Sequence, residues 1–189
     1  MKRAPIILVI LRAICAPVLI IWERAGGSGF GLAAVVSLAF VSDVFDGVIA
    51  RRVGVATDSL RAADTMTDTV FYISATVALF NRNPEVLRDV AIGLGALIAL
   101  ELTRLVVELA RFGRMAAYHM WSAKAWGIML WLGFGQAFLT AGPSTLLRFA
   151  VITGLLADLE GLIASLVLST WHRDVPSVWH ALKIEAASQ

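Results

Sequence analysis

The residues with the strongest chemical signal are four aspartates between positions 43 and 68. They are Asp43, Asp46, Asp64 and Asp68. The first two are three residues apart and the last two are four apart, so each pair shares one face of a helix. Two facing helices that each carry such a pair can enclose divalent cations, and oxygen ligands without a nearby cysteine suit Mg²⁺ or Mn²⁺. The spacing predicts a metal site, because two close carboxylate pairs repel one another unless cations neutralise them.

Two further residues of this stretch indicate that the metal holds a phosphate group. Gly47 leaves space beside the second aspartate, and Arg51 lies about one helical turn further on. A structural interpretation is also open, in which Asp43 and Asp46 form ion pairs with Arg51 and Arg52. The second aspartate pair argues against ion pairing as the complete explanation.

The same stretch resembles the signature of the class I CDP-alcohol phosphotransferases, D-x2-D-G-x2-A-R-x8-G-x3-D-x3-D. The chain keeps all the spacings and departs at Leu60, where the family has glycine. The resemblance implies a membrane enzyme that transfers a phosphatidyl group from a CDP-linked donor, usually CDP-diacylglycerol, to an alcohol hydroxyl and releases CMP. The matching residues are Asp43, Asp46, Gly47, Ala50, Arg51, Asp64 and Asp68.

The resemblance also implies a role for each residue of the site. Asp68 is the base that accepts the proton of the attacking hydroxyl, and it shares the metal with the other three aspartates. We expect a pair of Mg²⁺ or Mn²⁺ ions. Gly47 and Arg51 contact the donor, and the offset from Arg51 places Thr57 at the donor nucleotide. Because members of the family often form homodimers, a homodimer is also an expectation.

The composition excludes a soluble domain. The chain has 189 residues, of which 59% are hydrophobic and 16% charged, and its mean hydropathy is +0.80. We therefore expect an all-α integral membrane protein with residues 1–189 as a single domain. The net charge of +2 does not indicate a nucleic-acid partner, and the single cysteine, Cys15, is expected to serve in packing. No cleavable signal peptide is predicted, because Arg12 interrupts the first apolar run.

Six apolar stretches predict a bundle of six transmembrane helices, with the polar site at its cytoplasmic end. Each needs about 20 residues to cross the bilayer. Ten lysines and arginines lie on the side of the N-terminus and four on the other, so both termini are expected on the cytoplasmic side of the cell membrane. The predicted spans are 5–22, 31–50, 64–80, 88–110, 123–140 and 146–170.

The motif does not determine the acceptor alcohol. A set of basic residues further along the chain favours a phosphorylated acceptor, with glycerol 3-phosphate first; inositol phosphate, serine and another lipid's headgroup also fit. Arg104 has an alternative role in an ion-pair ladder with Glu101 and Glu108, and Lys124 has one as an interfacial anchor. The basic residues of this set are Arg104, Arg111, Arg114 and Lys124.

Other charged residues lie within the apolar stretches. Arg12 either places its charge in interfacial water or helps to hold a donor or acceptor phosphate. Asp158 and Glu160 predict polar contacts with a neighbouring helix. Two other functions remain open: a divalent-cation transporter, since intramembrane carboxylates also mark ion pathways, and a membrane hydrolase that cleaves CDP-lipids with water in place of the alcohol.

Overall fold

The computed structural model describes residues 4–52, 57–140 and 142–188. Within these ranges the chain forms seven α-helices and no strand, with one isolated parallel bridge between Ala117 and Arg173. The helices are α1 (Ala4–Arg24), α2 (Gly29–Arg52), α3 (Asp58–Arg82), α4 (Pro84–Phe112), α5 (Trp121–Leu139), α6 (Thr145–Val167) and α7 (Val178–Ser188). Within these ranges, the structure does not describe the side chains of Ala50, Arg51, Asp58, Ser59, Arg61, Ala62 and Ser188.

Each predicted span corresponds to one of the helices α1 to α6, but the count of six transmembrane helices is not confirmed. Four helices, α1, α2, α4 and α6, are long and apolar enough to cross a membrane. Helix α3 carries several acidic residues in its first half, and Lys124 and Gln136 lower the hydropathy of α5. The seventh helix, α7, was not predicted, because its 11 residues are too few for a span.

The chain divides into two compact units. Unit 1 comprises Met1–Arg88 and Phe134–Ser144, and unit 2 comprises Asp89–Gly133 and Thr145–Gln189. Whether residues 1–189 act as a single domain stays a prediction.

In unit 1, α1 packs against both α2 and α3. The buried face of α1 repeats at helical spacing, and its Cys15 is buried as the packing prediction required. At the start of α2, a side chain in place of Gly29 would collide with the backbone carbonyl of Phe138, so glycine is needed there. Arg82, at the end of α3, donates a 3.0 Å hydrogen bond to the carbonyl of Gly27.

In unit 2, small residues let the helices approach closely. A Cβ on Gly93 would lie 2.7 Å from Val151 Cγ1, so this glycine serves the packing of α4 on α6. The segments that follow α4 and α6 join each other: Asp174 N–H donates to the Ala117 carbonyl at 2.9 Å. Their core consists of Tyr118, Met120, Ala164, Leu168, Val175 and Ala181.

Candidate active site

The four aspartates lie on two neighbouring segments of unit 1. Asp43 and Asp46 belong to the second half of α2, and Asp64 and Asp68 to the first half of α3. The connection from the end of α2 at Arg52 to the start of α3 at Asp58 is short. It therefore keeps the C-terminal part of α2 close to the N-terminal part of α3. Carboxylates from both pairs therefore lie close together, with oxygens of Asp43, Asp64 and Asp68 within 4.8 Å of one another.

Arg12 of α1 meets all four carboxylates. Its Nη1 lies 3.1 Å from Asp43 Oδ1 and 3.0 Å from Asp64 Oδ1. The same nitrogen donates a short hydrogen bond to Asp68 Oδ1, and Nη2 donates one to Asp46 Oδ2. One guanidinium from a third helix thus links both pairs.

The burial of these groups separates Arg12 and Asp46 from the other three. Arg12 is 1% exposed and Asp46 4% exposed. The side chains of Asp43, Asp64 and Asp68 are 42%, 32% and 35% exposed. Of the two roles left open for Arg12, a charge placed in interfacial water is wrong, because packing between α1, α2 and α3 covers the side chain and the aspartates supply the counter-charge. A contact of Arg12 with a phosphate stays a prediction.

Three of the aspartates fit a divalent cation. Asp43, Asp64 and Asp68 each offer a carboxylate oxygen, and these oxygens lie within 4.8 Å of one another. Asp64 Oδ1 is buried without a hydrogen-bond partner in the described part of the chain, so it has the capacity to bind a ligand. An all-oxygen, partly exposed set suits Mg²⁺ or Mn²⁺. Asp46, predicted as a fourth ligand, lies at the same guanidinium but outside this set of three.

A small cavity adjoins the site. Its volume is about 10 Å³, which is about the space of one water molecule. The cavity is therefore too small to hold a nucleotide, and the exposed sides of Asp43, Asp64 and Asp68 are the part of the site that is open to a ligand. The cavity is lined by Arg12, Ala39, Phe40, Asp43, Asp68, Phe71 and Tyr72.

The structure describes only some of the side chains that are predicted to contact the donor. Gly47 lies in α2, one position after Asp46. The backbone of Arg51 belongs to α2, but its side chain lies outside the described residues. Thr57 is exposed and forms the N-cap of α3, where its hydroxyl accepts a 3.2 Å hydrogen bond from the Leu60 N–H. The contact of Thr57 with a nucleotide stays a prediction.

Unit 2 contains a second cluster of charges, which surrounds Arg104 of α4. Its Nη2 lies 2.8 Å from Glu101 Oε2, and its Nε lies 3.6 Å from Glu108 Oε1. The predicted ladder of Glu101, Arg104 and Glu108 is therefore present. Asp158 of α6 joins it, with Oδ1 3.4 Å from Arg104 Nη1, which confirms the predicted polar contact with a neighbouring helix.

The protein itself supplies hydrogen-bond donors to this second cluster. Glu108 is 3% exposed and accepts a 2.8 Å hydrogen bond from the Ala116 N–H and a 3.3 Å one from Ser165 Oγ. Ser165 also meets the Tyr118 hydroxyl at 3.0 Å. Burial raises the pKa of Tyr118, so its phenol keeps the proton. These contacts indicate a structural network.

The remaining basic residues of the predicted acceptor set are exposed. Arg111 donates a 3.0 Å hydrogen bond to the Leu168 carbonyl. The Arg114 guanidinium lies 3.9 Å from the centre of the Trp171 ring, a cation–π contact. Lys124 lies in the first turn of α5. Their role towards the acceptor stays a prediction.

Sequence reasoning missed the partners of Arg12. The signal that could have found them is periodicity: Arg12 shares one helical stripe with Val9, Ala16 and Leu19, which are all buried. An arginine on the buried stripe of an apolar helix requires acidic partners from the helices packed against it. The four aspartates are the acidic groups that α2 and α3 offer at that depth.

Comparison with known proteins bears on this geometry. A family model described as CDP-alcohol phosphatidyltransferase matches residues 2–172. No curated protein and no solved structure gives a match. The family match covers most of the chain and includes Arg12 and the four aspartates, so the resemblance seen in the sequence is confirmed: the chain belongs to the CDP-alcohol phosphatidyltransferase family.

Proposed function

We propose that the protein transfers the phosphatidyl group of CDP-diacylglycerol to the hydroxyl of a small alcohol at the aspartate site of unit 1. The family implies phosphatidyl transfer from a CDP-alcohol in phospholipid synthesis, and with the four apolar helices it implies an integral membrane protein. The observation that carries the proposal is the convergence of Asp43, Asp64 and Asp68 on one point, since such a set can hold a metal-bound pyrophosphate.

The metal is held by the aspartates in this proposal. Asp43, Asp64 and Asp68, with Asp46 behind them, would bind a pair of Mg²⁺ or Mn²⁺ ions. When bound, such ions neutralise the charge of the pyrophosphate and of the departing CMP. The family is generally dependent on divalent metals, which agrees with the oxygen-only set of side chains.

Asp68 is the proposed general base. Its side chain is 35% exposed, so an alcohol hydroxyl can reach it. The hydroxyl oxygen forms a bond to the phosphatidyl phosphorus, its proton passes to the Asp68 carboxylate, and the bond from phosphorus to the CMP oxygen breaks. Gly47 leaves room for the donor, and Arg51 and Thr57 contact it.

We propose a phosphorylated acceptor, with glycerol 3-phosphate first. The exposed cations Arg111, Arg114 and Lys124 support this by their charge. Arg104 gives little support, because three carboxylates already neutralise it and would repel a phosphate.

The test is an acceptor panel with CDP-diacylglycerol in detergent micelles. Released CMP and phospholipid product are both measured, with and without EDTA. We expect CMP release that requires both a divalent metal and an alcohol, and that is fastest with glycerol 3-phosphate. A preference for an uncharged alcohol would reject the phosphorylated acceptor. CMP release without any alcohol would indicate a hydrolase, and Mn²⁺ flux into vesicles without CDP-lipid would indicate a transporter.

We propose a homodimer in the cytoplasmic membrane with both termini in the cytoplasm. The orientation is supported by the excess of lysine and arginine on the side of the N-terminus. The mass of the detergent-solubilised particle tests the dimer. Protease accessibility of a C-terminal tag in sealed vesicles tests the orientation.

A further inference from the structure

Three carboxylates of the site share a single nitrogen atom. Asp43 Oδ1, Asp64 Oδ1 and Asp68 Oδ1 all approach Arg12 Nη1, the first two at 3.1 and 3.0 Å. The same three residues form the set with ligand oxygens within 4.8 Å of one another. A point surrounded by three anionic oxygens is a position for a cation, and in this structure the cation there is one end of a guanidinium.

A guanidinium nitrogen satisfies three carboxylates incompletely. Nη1 carries two hydrogens, so it can donate two directed hydrogen bonds. Asp68 receives one, while Asp64 Oδ1, although only 3.0 Å away, has no hydrogen-bond partner within the described ranges. A metal ion has no such directional limit and can be shared by all three oxygens.

We propose that Arg12 Nη1 and a divalent cation are alternative partners of Asp43, Asp64 and Asp68, so that metal binding must displace this end of the arginine. The inference rests on the proposed metal site and goes beyond it, because it assigns Arg12 as the internal competitor of the metal. Two positive groups at one point repel each other, and both require the same oxygens.

The other end of the guanidinium explains why Arg12 does not have to leave the site. Nη2 donates to Asp46 Oδ2, and both residues are almost fully buried. This contact can persist when Nη1 moves away. Arg12 thus neutralises the carboxylates while no metal is bound. By competing for the same oxygens, it raises the metal concentration that the site requires.

The experiment is a Mn²⁺ titration of the full-length protein in nanodiscs, without donor or acceptor. Free Mn²⁺ is followed by electron paramagnetic resonance. Arg12→Gln removes the competing charge, and we expect it to bind Mn²⁺ about 5- to 150-fold more tightly, the usual range for coupling between two ligands. Arg12→Lys keeps a charge but loses the forked geometry, so its affinity should be intermediate. Arg148→Gln, an exposed arginine of unit 2, is the matched control and should leave the affinity unchanged.

A second measurement separates competition from a merely structural role. In EDTA, Arg12→Gln should melt at a lower temperature than wild type, and Mn²⁺ should raise its melting temperature by more than it raises that of wild type. If Arg12 were purely structural, its replacement by glutamine would lower both the stability and the Mn²⁺ affinity.

The inference is overturned if folded Arg12→Gln binds Mn²⁺ no more tightly than wild type. If Arg12→Gln does not fold, Arg12→Lys decides, and an affinity equal to or below that of wild type overturns it. Mn²⁺ binding by Arg12→Gln alone would support it. Absence of binding in both proteins would overturn it, whereas turnover that persists in EDTA would instead contradict the proposed metal-dependent transfer.

Discussion

Both units contain one arginine surrounded by carboxylates on apolar helices, yet the two clusters differ in access and in the source of their hydrogen bonds. Arg12 in unit 1 faces four carboxylates from two other helices, and three of these are about one-third to two-fifths exposed. Arg104 in unit 2 faces three, and two of these, Glu108 and Asp158, are 3% and 2% exposed.

The difference shows that an arginine among acids is not by itself a site. In unit 2 the backbone of Ala116 and the hydroxyl of Ser165 donate to Glu108, while Asp158 Oδ2 is buried without a hydrogen-bond partner in the described part of the chain. In unit 1, Asp64 keeps a buried oxygen without a hydrogen-bond partner in the described part of the chain. Access separates the clusters: three of the four carboxylates around Arg12 are open to an ion, whereas Glu108 and Asp158, two of the three around Arg104, are covered. Charge that an ion can reach favours ligand binding, and covered charge favours a fixed contact between helices.

The largest effect should come from the proposed base. Asp68→Asn keeps the size of the side chain but cannot accept the proton, so we expect the transfer rate to fall about 10²- to 10⁴-fold. CMP release per folded protein, with CDP-diacylglycerol and the preferred acceptor, measures it.

The matched control for this prediction lies in the other cluster. Asp158→Asn removes a carboxylate from the neighbourhood of Arg104, and it should leave the transfer rate unchanged. Near-normal CMP release by Asp68→Asn, or an equal loss in both variants, would remove the distinction between the clusters.

The next effect concerns Asp46, which is buried and pairs with Nη2 of Arg12. Asp46→Asn should weaken Mn²⁺ binding about 10- to 100-fold, the usual loss when a group that ligates a metal or supports its ligands is removed. Calorimetric titration of the protein in nanodiscs measures this. Unchanged Mn²⁺ uptake would show that Asp46 only anchors Arg12 and is not a ligand.

The sequence was sufficient for those parts of the site that depend on local spacing. Asp43 and Asp46 share a face because they are three residues apart, and Asp64 and Asp68 because they are four apart. The ladder of Glu101, Arg104 and Glu108 follows from the same rule. In each case the geometry of a single helix decides, without knowledge of which helices are neighbours.

Contacts between distant residues could not be predicted in the same way. Arg12 and Asp68 are 56 residues apart, and Arg12 and Asp46 are 34 apart, so the packing of three helices determines the contact. The length and apolarity of each stretch predicted α1 to α6, but α7 has only 11 residues and a mixed composition. Its place depends on packing with α6, which no local pattern encodes.

In unit 2 we expect a loss of stability instead of a loss of chemistry. Glu108→Gln keeps an acceptor for the Ala116 N–H but removes the charge opposite Arg104, which should lower the free energy of unfolding by about 2 kcal/mol. Thermal unfolding in detergent measures it, and Mn²⁺ affinity should stay unchanged. A change in Mn²⁺ affinity without a loss of stability would contradict the structural role of this cluster.

The smallest effect should come from Thr57, which the structure shows as the N-cap of α3 and the sequence predicts as a donor contact. Thr57→Ala removes the hydroxyl that accepts from the Leu60 N–H and should lower stability by about 1 kcal/mol. Thr57→Asp keeps a good cap, so stability should hold, but its charge would repel the phosphates of the donor.

The two roles of Thr57 are separated by measuring stability and kinetics on the same two variants. If Thr57 reaches the donor, KM for CDP-diacylglycerol rises in both variants, and more in Thr57→Asp because like charges repel. If KM changes in neither, the residue serves only to start α3. The aspartate site would then depend on Thr57 only through the helix that carries Asp64 and Asp68.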